Sequence, residues 1–435
     1  MQVSVEKTSE LSRKMTVSIP DAIVQEKMES RLKKLAREVK VDGFRPGKVP
    51  AHVVKKLYGD RVKGEITGDL VESSYFEALK QENINPAGQP HIQPLAETEG
   101  FAYVAEFEVY PEISLDNINQ LQVIRPLANI TEDDVDTMIE KLRQQKKTWQ
   151  EVDRASAEGD NITINFSGVS EGENFTGGKV ENSKIEIGSQ QMIPGFEDEL
   201  KGLSAGAVKT FSATFPEQYH SSNLAGKTAE FEIEVVKVEA SVLPEVDAEF
   251  IKAYGVDAGE ITEFRADVSA NMERELQQGL KNKLKSSVFD NLLTHITVPL
   301  PKAMIDQEMQ QLLQPYAEQA KKRKVKLEDL NLSPELFESQ AKRRVALGLI
   351  FSEVIQKNKL TIDADKVRAV ITDMAKSYEQ PEDVVNWYYA DQSRLNDVQQ
   401  MVLEDQAIDW LVSQAQVTDQ TFSFSEVMEK QQTEA

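Results

Sequence analysis

Residues 43–50 read Gly43-Phe44-Arg45-Pro46-Gly47-Lys48-Val49-Pro50, and the stretch interrupts two segments of helical pattern. Its glycines allow backbone angles closed to other residues, and its prolines stiffen what lies between them. The expectation is a tight loop presenting one aromatic and two cations to solvent. Arg45 and Lys48 suit phosphates, while Phe44 suits an apolar crevice or a stacked base. Such a tip fits a ribonucleoprotein surface. The plainer reading is a solvated connection between helices.

The flanks give that loop an α+β setting. Val3 and Val5, then Met15, Val17 and Ile19, alternate with polar residues as half-buried strands do. A helix is expected from about Asp21 to Val39, with Ile23, Met28, Leu32 and Leu35 along one side. Pro50 sits where a first helical turn tolerates proline, and helical pattern follows through Val53, Val54 and Leu57 and again from Val62 to Leu79. Asn85-Pro86-Ala87-Gly88 breaks the chain before a strand with Phe101, Tyr103, Ala105, Phe107 and Val109 on one face. Strands from both ends of the segment can pair and leave the two helices and their loop on one side.

The chain has 435 residues and a net charge of −23. Met1 to Lys63 holds 15 Lys or Arg against 8 Asp or Glu, a balance of +7, so the remainder carries −30. An acidic body repels nucleic acid, whereas a basic N-terminal module still steers toward it. The absence of cysteine excludes disulfides and thiol catalysis. His52, His91, His220 and His295 have no metal-ligand spacing, so neither metal nor cofactor is expected. No apolar run reaches the roughly 20 residues of a membrane span. The start, Met-Gln-Val-Ser-Val-Glu-Lys, has no apolar h-region, which sets the expectation of a cytoplasmic protein without a membrane partner.

Past Pro111 the pattern changes. Ser114 to Trp149 reads as a connector with a strand-like start (Leu121 to Ile124) and a helix from about Glu132, too long for a simple loop. A second unit opens at Gly159. Ile162, Ile164 and Phe166 alternate with Asn161, Thr163 and Asn165; Phe211, Ala213 and Phe215 repeat the pattern, as do Phe231, Ile233 and Val235 against Glu230, Glu232 and Glu234. Short strands with glycine-containing turns indicate a small antiparallel sheet. From about Pro244 the chain reads as helical. Ile261, Phe264, Val268, Met272, Leu276, Leu280, Leu284, Val288 and Leu292 are spaced by three once and then by four. Steps of four overshoot a turn by about 40°, so this stripe winds around a helix roughly 45 Å long and meets different neighbours or stays partly open. Further helices are expected at Pro301–Gln319, Pro334–Lys357, Asp363–Tyr378 and Arg394–Ala415, with Lys321 to Lys326 as a solvated turn.

No Ser–His–Asp order, phosphate-cradling loop or metal motif is present. The acidic residues fall mostly on helix faces, where solvation explains them. An active site in this chain must therefore work without a nucleophile.

Two motifs carry a resemblance. Gly-Phe-Arg-x-Gly-Lys-x-Pro between two N-terminal helices resembles the ribosome-binding signature of the bacterial trigger factor family. Ile193-Pro-Gly-Phe196-Glu-Asp-Glu-Leu-Lys-Gly202, preceded by Phe166-Ser-Gly and Phe175-Thr-Gly-Gly, resembles the FKBP-type peptidyl-prolyl isomerase pattern. The commoner form of that pattern has Tyr at Phe166, Asp at Thr176 and Trp at Phe196, and trigger factors share the altered set. Carried over by position, the resemblance implies a proline pocket lined by Phe166, Phe175, Ile193, Phe196, Tyr219 and Phe231. Tyr219, or more weakly His220, would serve as a donor to substrate. The same aromatics also suit the plain core of a small β domain.

The resemblance implies a multidomain α+β protein: a ribosome-binding α+β domain (1–112), a connector packing on the C-terminal part (113–149), an FKBP-like antiparallel β domain with a short helix (150–243), and an all-α chaperone domain (244–435). It implies a ribosome-associated chaperone that holds nascent chains, assists folding and export and isomerises prolyl bonds without ATP. Its partners would be ribosomal protein and rRNA near the nascent-chain exit, contacted by Phe44, Arg45 and Lys48, with unfolded polypeptides and, off the ribosome, a second copy. The alternative is a free-standing FKBP-type isomerase whose accessory domains select substrates. An RNA-binding factor fits the acidic body least.

Overall fold

The structure is a computed structural model that describes residues 1–39, 41, 44, 49–95, 101–219, 221, 223–323, 334–376, 378 and 380–429. Arg45, Lys48, His220 and the Lys324–Lys326 part of the basic turn lie outside the described residues. The chain divides into two compact units. One combines Met1–Pro126 with Asn282–Gln420, and the other combines Leu127–Lys281 with the chain from Thr421.

The first unit opens with strands β1 (Gln2–Lys7) and β2 (Ser12–Ile19), helices α1 (Asp21–Glu38) and α2 (Ala51–Gln81), and strands β3 (His91–Pro94) and β4 (Phe101–Glu108). The four strands form an antiparallel sheet in the order β1-β2-β4-β3. The alternation at Met15, Val17 and Ile19 and at Tyr103, Ala105 and Phe107 turns these side chains onto Val62, Ile66 and Leu70 of α2. Among them is the polar Tyr103 hydroxyl, fully buried, whose oxygen lies 2.9 Å from that of Ser74. On α1, Leu32 is buried and Met28 and Leu35 pack beside it, whereas Ile23 stays 38% exposed. Leu57, which fits the apolar pattern, is 58% exposed because one continuous helix carries it to the outer side of α2.

The chain continues through β5 (Gln122–Leu127), α3 (Glu132–Gln145), β6 (Thr148–Glu151), β7 (Asn161–Ser170), β8 (Glu173–Asn174), β9 (Val180–Glu186), α4 (Phe196–Leu200), β10 (Val208–Thr214) and β11 (Thr228–Val242). After these come α5 (Ala248–Lys252), α6 (Ile261–His295), α7 (Lys302–Arg323), α8 (Pro334–Asn358), α9 (Ala364–Ala375), α10 (Pro381–Tyr389), α11 (Gln392–Gln414), β12 (Gln416–Thr421) and α12 (Phe424–Glu429). The structure is thus α+β, with a helical C-terminal region. That region also holds β12, which pairs with β5 and is tied to it by Arg125 and Asp419 at 2.7 Å.

Two helical clusters complete the first unit. Val288, Leu292, Ile305, Val345, Ile350 and Leu411 share a core with Ile113, Ile118, Leu121 and Val123 from the segment after β4. Val367, Ile371, Val398 and Val402 form a smaller one between α9 and α11.

In the second unit the strand order is β10-β11-β7-β8, with β6 on β11 and β9 on β7, antiparallel throughout. Alternation sets Asn161 and Thr163 on the polar face of β7, yet both are buried, because β7 is interior and flanked by β11 and β9. A separate cluster joins Val135 and Ile139 of α3, Phe250 of α5, Phe264, Val268, Met272 and Leu276 of α6, and Phe424 of α12. Thr131 starts α3 with a reciprocal cap, its backbone N–H donating to Asp134 Oδ2 at 2.9 Å and its hydroxyl accepting from the Asp134 N–H at 3.2 Å. The apolar stripe of α6 winds as its spacing requires. Phe264 to Leu276 pack in this cluster, and Val288 and Leu292 in the core of the first unit.

Candidate active site

The six pocket residues expected from sequence come from five parts of the second unit and meet in one cluster. Phe166 stands on β7 and Phe231 on β11, on the face that the Ile233↔Phe166 register turns toward α4. Phe175 follows β8, Tyr219 lies in the β10–β11 connection, and Ile193 and Phe196 flank the entry to α4. At that entry Gly195 holds φ +85°, a left-handed conformation open to glycine, so the chain turns sharply from Ile193 into the helix.

Phe196 is fully buried and is the hub of the cluster. Its ring centroid lies 5.1 Å from Phe231 at 90°, 5.1 Å from Phe211 at 71° and 6.1 Å from Phe166 at 75°. These are edge-to-face contacts, the arrangement that aromatic quadrupoles favour. Phe175 stands 5.7 Å from Phe231 and 5.5 Å from Phe215, and Tyr219 4.7 Å from Phe215. Phe196 and Phe231 are buried at the centre of the cluster, and the half-buried Phe166, Phe175, Ile193 and Tyr219 lie around them. Phe211 and Phe215, visible in the sequence only as alternating strand residues, belong to the same cluster.

Two supports were not legible. Glu197 is 8% exposed, and the partners of its carboxylate are neutral. It accepts the N–H groups of Gly188 at 2.8 Å, Gln190 at 3.1 Å and Met192 at 3.1 Å, and the Ser189 hydroxyl at 3.2 Å. Burial pushes its pKa up, but the Met192, Gln190 and Gly188 amides and the Ser189 hydroxyl outweigh it and hold the carboxyl below the usual glutamate range. The loop leading to Ile193 is thus pinned by the residue next to Phe196. The second support is Gly168 on β7. A Cβ there would stand 2.3 Å from Cζ of Phe175, so only glycine leaves room for that ring. Thr176 holds the turn after Phe175, donating to the Gly178 carbonyl at 2.6 Å and accepting the Gly168 N–H at 3.3 Å.

Such a site offers shape and low polarity rather than a nucleophile. Rotation about a prolyl bond has a barrier of ~18–20 kcal/mol because amide resonance is lost in the twisted state. Resonance separates charge, so an apolar wall disfavours the planar amide relative to the twisted one. Binding that strengthens on twisting accelerates rotation.

Of Phe44, Arg45 and Lys48, the three loop residues expected at the ribosome, Phe44 is described. It is 40% exposed, and its N–H donates to the Val41 carbonyl at 3.1 Å. Among the described residues no helix is long and apolar enough to cross a membrane, and no His, Asp and Glu group is placed to hold a metal ion.

Comparison with known proteins gives three family matches. Residues 1–142 match the bacterial trigger factor protein family, residues 260–413 the trigger factor C-terminus, and residues 152–236 the FKBP-type peptidyl-prolyl cis-trans isomerases. The trigger factor of Hahella chejuensis is 42% identical over 98% of this chain and 96% of its own. That of Cellvibrio japonicus is 42% identical over 98% of this chain and 99% of its own. A solved chain titled "Promiscuous Substrate Recognition in Folding and Assembly Activities of the Trigger Factor Chaperone" aligns over 95% of this chain and 99% of that one, at 17% identity and a TM-score of 0.49. The chain belongs to the trigger factor family, chaperones that carry an FKBP-type peptidyl-prolyl isomerase domain.

Proposed function

We propose that the aromatic cluster is the site at which this chaperone isomerises prolyl bonds, and that the loop at 43–50 docks it near the nascent-chain exit of the ribosome. Phe196 and Phe231 would form the floor under the proline ring, Phe166, Phe175 and Ile193 its walls, and Tyr219 would hold the substrate carbonyl. The observation that carries this reading is a half-buried apolar rim around two buried rings, with the loop to Ile193 pinned by Glu197. Phe44, Arg45 and Lys48 would make the ribosomal contact to protein and rRNA in the cytoplasm, and the exposed Phe44 supports that role. Residues 1–112 would then be the docking domain, 113–149 the connector, 150–243 the isomerase and 244–435 the chaperone body, with self-association off the ribosome.

Sedimentation with ribosomes tests the docking half. Replacing Phe44, Arg45 and Lys48 together with alanine should abolish co-sedimentation while leaving the fold and peptide isomerisation intact. Each phosphate that Arg45 or Lys48 no longer neutralises should lower the salt slope of binding by about 0.7–0.9. Removing the Phe44 ring should weaken binding equally at all salt concentrations. Unchanged sedimentation of the triple variant would overturn the docking role.

A further inference from the structure

Asn165 of β7 precedes Phe166 and so lies on the opposite face of the sheet, where its carboxamide reaches both neighbouring strands. On one side its Nδ2 donates to Oε2 of Glu234 at 3.3 Å, the β11 residue directly opposite it in the register. On the other side its Oδ1 accepts the backbone N–H of Asn182 of β9 at 2.9 Å. Lys179, at the end of the turn that follows Phe175, donates to the same Glu234 oxygen at 2.5 Å. Three strands and that turn are thus clasped together behind the aromatic cluster.

The Asn182 contact falls at a break in the ladder. Ile164 pairs with Ser183 and Phe166 with Val180, so Glu181 and Asn182 together oppose Asn165. Two residues against one make a β-bulge, and Asn182 takes φ +56°, a left-handed conformation in which asparagine is enriched. The bulge decides what stands beside the pocket. Directly opposed residues of an antiparallel pair share a face, and a slip of one residue exchanges the faces. With the extra residue, Val180 is the partner of Phe166. Without it Glu181 would be, and would set a carboxylate at the rim of an apolar site.

We propose that Asn165 is a positioning residue for prolyl isomerisation: its carboxamide holds the bulge that keeps Val180, and not Glu181, beside Phe166, and it fixes the far end of the turn that carries Phe175. This role rests on the reading of the aromatic cluster as the isomerisation site. Asn165 itself touches no substrate. It acts through Phe166, its neighbour on the opposite face, and through Phe175, whose turn is closed at its near end by Thr176 and at its far end by Lys179. Stability accounts poorly for the arrangement. The Lys179 and Glu234 side chains are 52% and 44% exposed, and ion pairs so exposed contribute little. Asparagine is also depleted in strands, where a β-branched residue fits better. What the clasp secures is register, and with it the aim of two rings.

The test is kcat/KM of the full chain on a short prolyl peptide, at a temperature where circular dichroism shows every variant folded. Asn165→Val suits a strand but cannot hold the bulge, and should lower kcat/KM at least fivefold. Asn165→Asp with Glu234→Gln exchanges amide and carboxylate, keeps an acceptor for the Asn182 N–H, and should return kcat/KM to within twofold of the parent. A clasp that served stability alone would lower the unfolding temperature and leave turnover by the folded variant unchanged. If Asn165→Val does not fold, the exposed change Lys179→Ala takes its place, with an expected fall of about twofold. Full turnover in the variant measured, or an exchange variant as inactive as Asn165→Val, would overturn the role of Asn165. Phe166→Ala, run alongside, separates the two readings. Its loss of activity beside full turnover in Asn165→Val removes the clasp alone, whereas full turnover in Phe166→Ala removes the pocket and the clasp with it.

Discussion

Glu197 accepts the Met192 N–H at 3.1 Å, so the carboxylate beside the hub phenylalanine fixes the backbone that leads into Ile193. Its other partners, Gly188, Ser189 and Gln190, belong to the same loop. Hydrogen bonds to a charged acceptor contribute about 1.5–3 kcal/mol each when intact, and burial penalises any that are broken. Glu197→Ala should therefore cost about 2–4 kcal/mol and lower kcat/KM for a prolyl peptide through the loosened Ile193. Glu197→Gln keeps the shape and separates charge from packing. Because the folded pKa is depressed, the carboxylate's contribution is full above the unfolded value of about 4.3 and is lost as pH falls through the folded value. Acid titration of stability should thus be steeper in the parent than in Glu197→Gln below about pH 4. Parallel titrations would show that the carboxylate does not pin the loop.

Gly168 and Phe175 make a second pair with a sharp consequence. A Cβ at position 168 lands on the ring, with Cζ at 2.3 Å and Cε1 at 2.7 Å. Gly168→Ala should cost about 1–3 kcal/mol, as overpacking does, and reduce isomerase activity by displacing the ring. Phe175→Ala introduced into Gly168→Ala should recover stability, since the clash is gone, without recovering activity, since the wall is gone. Recovery of both would remove Phe175 from the site.

Floor and rim should separate in mutagenesis. Phe196→Ala removes a fully buried ring that touches Phe166, Phe211 and Phe231, and should cost about 3–5 kcal/mol, so its loss of activity mixes with loss of fold. Tyr219→Phe removes one hydroxyl from a half-buried residue. Its stability should stay within about 1 kcal/mol of the parent while kcat/KM falls several-fold, provided that the hydroxyl holds the substrate carbonyl. Undiminished turnover would leave Tyr219 a wall and nothing more.

What could be read from sequence followed from periodicity and from motif. The alternation at Phe211, Ala213 and Phe215 and at Phe231, Ile233 and Val235 placed strands and core face together, because a pleated strand ties side-chain direction to residue parity. The Ile193 to Gly202 motif gathered residues that chain distance keeps apart, Phe166 and Phe231 among them. Glu197 was not legible, since a carboxylate within Glu-Asp-Glu reads as a solvated helix face; only the turn at Gly195 tucks it under the loop. Gly168 was hidden for the same reason, its neighbour Phe175 being set by the fold. The strand β12 has one half-buried residue in six and so no alternation to betray it; its pairing with β5 spans nearly 300 residues.

The winding stripe of α6 yields the last prediction. Leu276 is fully buried in the cluster with α3 and α5, and Val288 is fully buried in the core with α8 and α11. Twelve residues separate them, about 18 Å along the helix, beyond the range at which substitutions couple. Leu276→Ala should cost about 2–5 kcal/mol, felt in the second unit; Val288→Ala acts in the first. Hydrogen exchange should then show faster opening of α3 and α5 in Leu276→Ala, and of α8 and α11 in Val288→Ala, with the effects adding in the double variant. If either substitution loosened both sets of helices alike, α6 would be transmitting strain between two cores, and its two halves could not be treated as independent packing surfaces.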